Sequence, residues 1–288
     1  MSRRPIGQDL PISFAIVGVQ KAATSTMHTM LVRHRHIARA RAKELHFFDD
    51  ERLDWSVPDY SGYVGRRTRS GQRIVGDATP SYIFWPGALE RMHRYNSDMR
   101  LIASFRDPIE RAFSQWSMER KRQPSYPSFS RSLQIFGDLS LLEGLPAGKT
   151  SREMRRAAMV VRGLYGAQLQ RGLGIFDRSQ WLLLPFRRFV SAPDRVLDEI
   201  AAFLEIGAWN QYPTQRENPT PRDQIGPPPT ADDMRRLTDV YAADLALFGD
   251  LSGLDVSDWP TTRIAAGTLD PADLAADLAR KVGLHRED

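Results

Sequence analysis

Cysteine is absent from all 288 residues, which excludes disulfides, thiolate catalysis and zinc or iron–sulfur sites built on Cys. Lysine is scarce: Lys21, Lys43, Lys121, Lys149 and Lys281 stand against 35 arginines, so a lysine inside a motif is less apt to be filler. No apolar run approaches the roughly 20 residues that span a bilayer. The first residues, MSRRPIGQDLPIS, lack a secretory h-region and cleavage site. Membrane insertion is not expected, and a cytoplasmic location is. The formal charge of +5 is modest and spread along the chain, which suits an anionic ligand and not a dedicated nucleic-acid binder.

What is present is a chain of ordinary globular composition, 41% hydrophobic and 26% charged, of a size for one large domain. Its organising stretch is Ser13 to Thr29, SFAIVGVQKAATSTMHT. An unbroken apolar run over Ile12–Val19 predicts a strand buried on both faces of a parallel sheet. Lys21 follows, then Thr24, Ser25 and Thr26 where a helix would begin. Free backbone N–H groups and the positive end of a helix favour a phosphate, the hydroxyls add donors, and Lys21 adds a point charge. The helix, expected over about Thr24–His34, turns Met27, Met30 and Leu31 inward as core.

Further along, Lys43-Glu44-Leu45-His46-Phe47-Phe48-Asp49 gathers ionisable groups among apolar ones. If extended, period-two geometry sends Glu44 and His46 to one face, a carboxylate and an imidazole fit for acid/base work beside a bound anion. Residues 50–72 read as an excursion with little regular structure. A strand returns at Arg73–Gly76 and ends in Asp77-Ala78-Thr79-Pro80-Ser81-Tyr82; a helix follows over Pro86–Tyr95. The opening pattern then repeats: strand Leu101–Phe105, turn Arg106-Asp107-Pro108, helix Ile109–Arg120. Ligands of open parallel sheets collect at the C-terminal strand ends, so Lys21, Glu44, Asp77 and Arg106 are expected to line one crevice. Ser114 lies on the helix that starts beside Arg106.

These segments, in this order, resemble the sulfotransferases that use 3′-phosphoadenosine 5′-phosphosulfate (PAPS). The pattern is similar above all to the heparan sulfate 3-O-sulfotransferase branch and to bacterial relatives with the same KExHFF segment. The resemblance implies an α/β fold with a central parallel sheet flanked by helices and a P-loop-like strand–loop–helix, and a transfer that needs no metal. It places the 5′-phosphosulfate loop on Lys21, Ala22, Ala23, Thr24, Ser25 and Thr26, and the 3′-phosphate site on Arg106 and Ser114. Glu44 becomes the base, with His46 as its competitor or neighbour, and Lys21 steadies the leaving phosphate. Arg162-Gly163-Leu164-Tyr165 matches an Arg-x-Ser-x-Tyr cofactor segment with Gly163 for serine, which adds Tyr165; Arg222, in the proline-rich loop 216–229, is the candidate for closing over the nucleotide. Asp77 and His46 are assigned to the acceptor, a small molecule or glycan offering a hydroxyl or, as second choice, an amine. Two departures stand out. The family's loop glycine is Ala23 here, and its Glu-Lys-Ser is Asp77-Ala78-Thr79, so the second active-site lysine is missing.

The rest of the chain is expected to hold a loose tail at 1–11, a domain over 12–250 and an extension over 251–288 packed on it. Within these, 123–150 is a surface insertion, Arg152–Leu169 a helix, Trp181–Phe186 a strand, and Pro193–Leu204, 231–249 and Pro271–Val282 helices. Two other functions compete: a P-loop kinase, which the lone Gly18 and Ala22 after Lys21 disfavour because G-x-x-x-x-G-K-[ST] is not met, and a nucleotide-binding module without catalysis.

Overall fold

Phe14–Gly18 (β2) carries no polar side chain and is buried at every position. Such a strand needs neighbours on both sides, and it has them, β5 (Ile74–Asp77) and β6 (Arg100–Phe105), both parallel to it. The computed structural model describes residues 6–137, 139, 151–214 and 226–284. Its sheet has seven strands in the order β1-β4-β3-β5-β2-β6-β7. β3 (Ile37–Ala40), β5, β2, β6 and β7 (Trp181–Pro185) run parallel, while β4 (Val64–Arg66) and β1 (Asp9–Pro11) form an antiparallel edge. The parallel α/β arrangement is the one expected; the antiparallel edge is not. Three-residue strands carry too little periodicity to be seen in a sequence, so Asp9–Pro11 reads as tail and Val64–Arg66 as part of the excursion.

The chain divides into two compact units, residues 1–105 with 172–217, and 106–171 with 218–288. The first holds the sheet, α1 (Thr24–Leu31), α2 (Ala88–Tyr95), α7 (Phe186–Ser191) and α8 (Pro193–Phe203). Phe14, Ile16 and Ile102 of the sheet pack with Met27, Met30 and Leu31 of α1 and with Val196, Leu197 and Ile200 of α8 in one core. The methionine stripe is core, as its spacing predicts. Each such side chain contributes about 1.5–3 kcal/mol through burial.

The second unit is helical: α3 (Pro108–Arg122), α4 (Phe129–Ile135), α5 (Ser151–Ala157), the start of α6 (Tyr165–Leu173), α9 (Ala231–Ser252), α10 (Pro260–Ala265) and α11 (Pro271–Lys281). α9 buries Leu237, Tyr241, Leu245 and Phe248, the face its period predicts. The single helix expected over 152–169 is instead α5, a 3₁₀ turn at Val161–Gly163, and α6. Gly163 explains the break: a Cβ there would stand 2.8 Å from the Tyr241 ring, so the backbone passes too close to α9 for any side chain. The segment 251–288 supplies two helices, not one, and both pack on α9.

Candidate active site

β2 ends at Gly18, and α1 begins at Thr24 with no acidic residue in its first turn and no side-chain cap. The turn closes through the Ala22 N–H, which donates to the Val19 carbonyl at 3.2 Å. Lys21 and Ala23 flank it in the left-handed region, with φ of 73° and 60°. Ala23 therefore takes up the backbone conformation that glycine would adopt freely, and the α1 N-terminus keeps the uncapped amides and positive dipole end that attract an anion. The Ser25 hydroxyl accepts from Lys43 Nζ at 2.6 Å.

Lys43 leads into the acid/base segment, which is not a strand. β3 ends at Ala40, and Glu44 and His46 both have positive φ, 55° and 50°. The expected alternation is thus replaced by two left-handed residues two apart, which still bring the side chains together: His46 Nε2 stands 3.7 Å from Glu44 Oε2. On its other side Nδ1 of His46 lies 2.9 Å from Oδ2 of Asp49, a carboxylate with no solvent exposure. Ser81 donates to the same Oδ2 at 2.6 Å. The buried carboxylate accepts the Nδ1 hydrogen, and when both ring nitrogens carry hydrogen the Nε2–H faces Glu44. Lys43 Nζ is 3.4 Å from Glu44 Oε1. The His46 hydrogen bond and the Lys43 charge hold the Glu44 carboxyl below its ordinary range against the opposing effect of burial, so Glu44 is ionised at neutral pH and able to accept a proton.

The second motif holds this segment in place. Three successive amides are received by residues of GDATPSY: Leu45 N–H by Asp77 Oδ1 at 3.4 Å, His46 N–H by Thr79 Oγ1 at 3.4 Å, Phe47 N–H by the Tyr82 hydroxyl at 3.0 Å. Asp77 is fully occupied inside the protein, accepting also from Ala78 N–H at 2.6 Å, the Thr79 hydroxyl and Tyr63 at 3.2 Å. Burial raises its pKa, while hydrogen bonds from Tyr82, Thr79 and the backbone oppose that rise. Asp77 is 1% exposed and turns its carboxylate to the amide of Leu45 in the Glu44–His46 segment. Ala78, where the resemblance implies a lysine, is a buried apolar residue.

In the second unit, Arg106 precedes α3, whose cap Asp107 accepts from Glu110 N–H at 2.9 Å and Thr261 N–H at 2.8 Å. Arg106 Nε donates to Glu110 at 3.3 Å, and Lys281 Nζ reaches the same carboxylate at 2.8 Å. Ser114 is half-buried on α3. Tyr165 is fully buried and donates its hydroxyl to the Arg106 carbonyl at 2.9 Å. Arg222 lies outside the described residues. Among the described residues no group of His, Asp and Glu could hold a metal ion, and no helix is long and apolar enough to cross a membrane.

Lys43 and Asp49 are site residues that the motifs alone do not single out. Both stand in the KELHFFD segment, and the scarcity that marks Lys21 applies equally to Lys43.

An uncapped helix start after a central strand is joined by Lys43 to a carboxylate–imidazole pair, an arrangement suited to an anionic ligand. The profile of the sulfotransferase domain matches residues 11–217, and the chain belongs to the sulfotransferase family of enzymes. Over 194 residues it is 33% identical to heparan sulfate glucosamine 3-O-sulfotransferase 6 of Mus musculus, a match covering 66% of this chain and 51% of that protein. It is 30% identical over 194 residues to heparan sulfate glucosamine 3-O-sulfotransferase 3B1 of Homo sapiens, covering 66% and 45%. The chain thus spans about half the length of these curated relatives. Among solved structures, a sulfotransferase from Alicyclobacillus acidocaldarius matches with a TM-score of 0.63 at 27% identity, over 87% of this chain and 99% of that one. Family membership removes the kinase reading.

Proposed function

We propose that this enzyme moves the sulfuryl group of PAPS to the hydroxyl of a small-molecule or glycan acceptor, with Glu44 as the base. PAPS supplies an activated sulfuryl group and a phosphate leaving group. Lys21, the α1 N-terminus and the hydroxyls of Thr24, Ser25 and Thr26 suit the 5′-phosphosulfate, and the family resemblance assigns the 3′-phosphate to Arg106 and Ser114. The acceptor oxygen forms its bond to sulfur as the bond from sulfur to the phosphate oxygen breaks in line. The acceptor proton passes to Glu44, and Lys21 offsets the charge that grows on the leaving oxygen. His46, oriented by Asp49, holds Glu44 in place and stabilises it as an anion.

The observation that carries this reading is the unbroken chain Asp49–His46–Glu44–Lys43–Ser25, which ties the base to the phosphate loop. A calorimetric titration with 3′-phosphoadenosine 5′-phosphate (PAP) tests it. Wild type binds and Arg106→Ala weakens binding; Glu44→Gln binds as wild type does but turns over roughly 10²–10⁴-fold more slowly, the span of general-base catalysis. No binding by wild type would sink the donor assignment, and full activity in Glu44→Gln would remove Glu44 as the base while leaving the nucleotide-binding assignment standing.

A further inference from the structure

The antiparallel edge of the sheet places like charges face to face. In the β3–β4 register Arg39 is the direct partner of Arg66, and in the β1–β4 register Arg66 is in turn the partner of Asp9. Side chains directly opposite in such pairs project to the same face with Cβ atoms about 4.5–5.5 Å apart, where like charges destabilise the sheet. Asp9, paired with Arg41 at 3.3 Å, carries one negative charge and cannot offset Arg39, Arg41 and Arg66 together. Neither Arg39 nor Arg66 forms an ion pair among the described residues, and both are exposed.

The face they share is the one that leads to the base. Alternation along β3 puts Arg39 on the same side as Ile37, which packs in the core with Met27, Met30 and Leu31 of α1. The field of Arg39 is felt there: with burial and Lys43 it pushes the His28 imidazole of α1 below its ordinary range. From Arg39 the chain runs through Arg41 and Lys43 directly into Glu44. A sheet edge that keeps two unneutralised guanidinium groups in register, and pays for them in stability, is explained if an anion completes it. Guanidinium forks match the oxygens of a sulfate, phosphate or carboxylate.

We propose that Arg39 and Arg66, with Arg41 beside them, form an anion-binding exosite on the β3–β4 edge that receives an acidic group of the acceptor, carried away from the hydroxyl presented to Glu44. The assignment to the acceptor rests on the reading of Glu44 as base. It also places cationic recognition on the sheet edge, where Ala78 supplies none.

Inorganic sulfate is the probe. Melting of the full chain is followed with PAP in excess, sulfate replacing chloride at constant ionic strength. Sulfate should raise the Tm of wild type more than that of the double variant Arg39→Gln/Arg66→Gln, and in chloride alone the double variant, or Arg66→Gln by itself, should melt no lower than wild type. Equal sulfate increments in wild type and variants overturn the exosite. Matched acidic and neutral hydroxyl compounds offered with labelled donor then separate an acceptor group from a free ion. Transfer to the acidic compounds should fall about tenfold in the double variant, the size of one lost charge-assisted hydrogen bond, with transfer to the neutral ones unchanged. An equal fall in both, or none in either, overturns the assignment to the acceptor. Failure of PAP to bind wild type would instead strike the donor reading, while the comparison of sulfate increments still reports on the exosite.

Discussion

Ala23 holds a left-handed backbone, φ 60°, at the entrance to α1. An L-residue there stores about 1–2 kcal/mol, part of which glycine returns in the greater freedom of its unfolded chain. Ala23→Gly is therefore expected to raise stability by about 0.5–1 kcal/mol and to leave PAP affinity within a few-fold of wild type, as read by urea midpoint and calorimetry. A fall in stability would mean that the methyl group packs better than its backbone suffers. At this scale the sequence is legible where a residue type is rare or sits at a strand end. Lys21 meets that condition; Glu44 and His46 stand out because KELHFFD gathers ionisable groups among apolar ones. Asp49 escapes because its place depends on its complete burial against Ser81, and the burial of Asp77 and Tyr165 escapes as well, because nothing in a motif distinguishes a side chain turned to a ligand from one turned to its neighbour.

The elements that matter most are not regular ones. The base segment lies beyond β3 without a strand partner of its own and is fixed by the amides it donates to Asp77, Thr79 and Tyr82. Alternation of residue types predicts an extended segment, but paired left-handed residues give the same meeting of Glu44 with His46, and a linear pattern cannot tell the two apart. Tyr82→Phe removes the acceptor for the Phe47 amide and should cost about 1–3 kcal/mol of stability while lowering kcat more than it changes PAP affinity. Thr79→Val should act in the same direction. Turnover unchanged in both variants would show that the segment holds its shape without the clamp. β2 and β6 are legible from continuous apolar runs, and β5 from the short Ile74-Val75-Gly76 before Asp77; β1, β3 and β4 are three or four residues long and are defined by pairing.

For the whole molecule, acid is the condition to which the fold is most exposed. Burial, with the charges of Lys43 and Arg39, lowers the His28 pKa to about 4, and burial also lowers that of His34, whose Nε2 is held by the Gly207 carbonyl at 2.9 Å. A depressed folded-state value means that the unfolded chain takes up the proton first, so stability is complete above about pH 6.5 and declines as pH falls from there toward 4. The loss from His28 is on the order of 2 kcal/mol. Urea midpoints at pH 7 and pH 5 should show it, and His28→Leu should flatten the dependence; a wild-type midpoint constant over this range would contradict the burial of both rings. The α/β class is legible at this scale because strand, turn and helix recur, whereas the division into two units depends on contacts far apart in the chain. The amide clamp has a practical consequence as well. GDATPSY holds the amides of Leu45, His46 and Phe47, while Trp55 and Tyr60 pack on the Phe47 ring and Glu51 pairs with Arg91 at 2.8 Å, so the stretch from Asp50 to Ser61 and the base segment are one packed unit. Exchanging that stretch alone between relatives would therefore disturb Phe47 and the residues before it, and an exchange that keeps Glu44 in place has to carry 43–61 together with the partners of its aromatic rings.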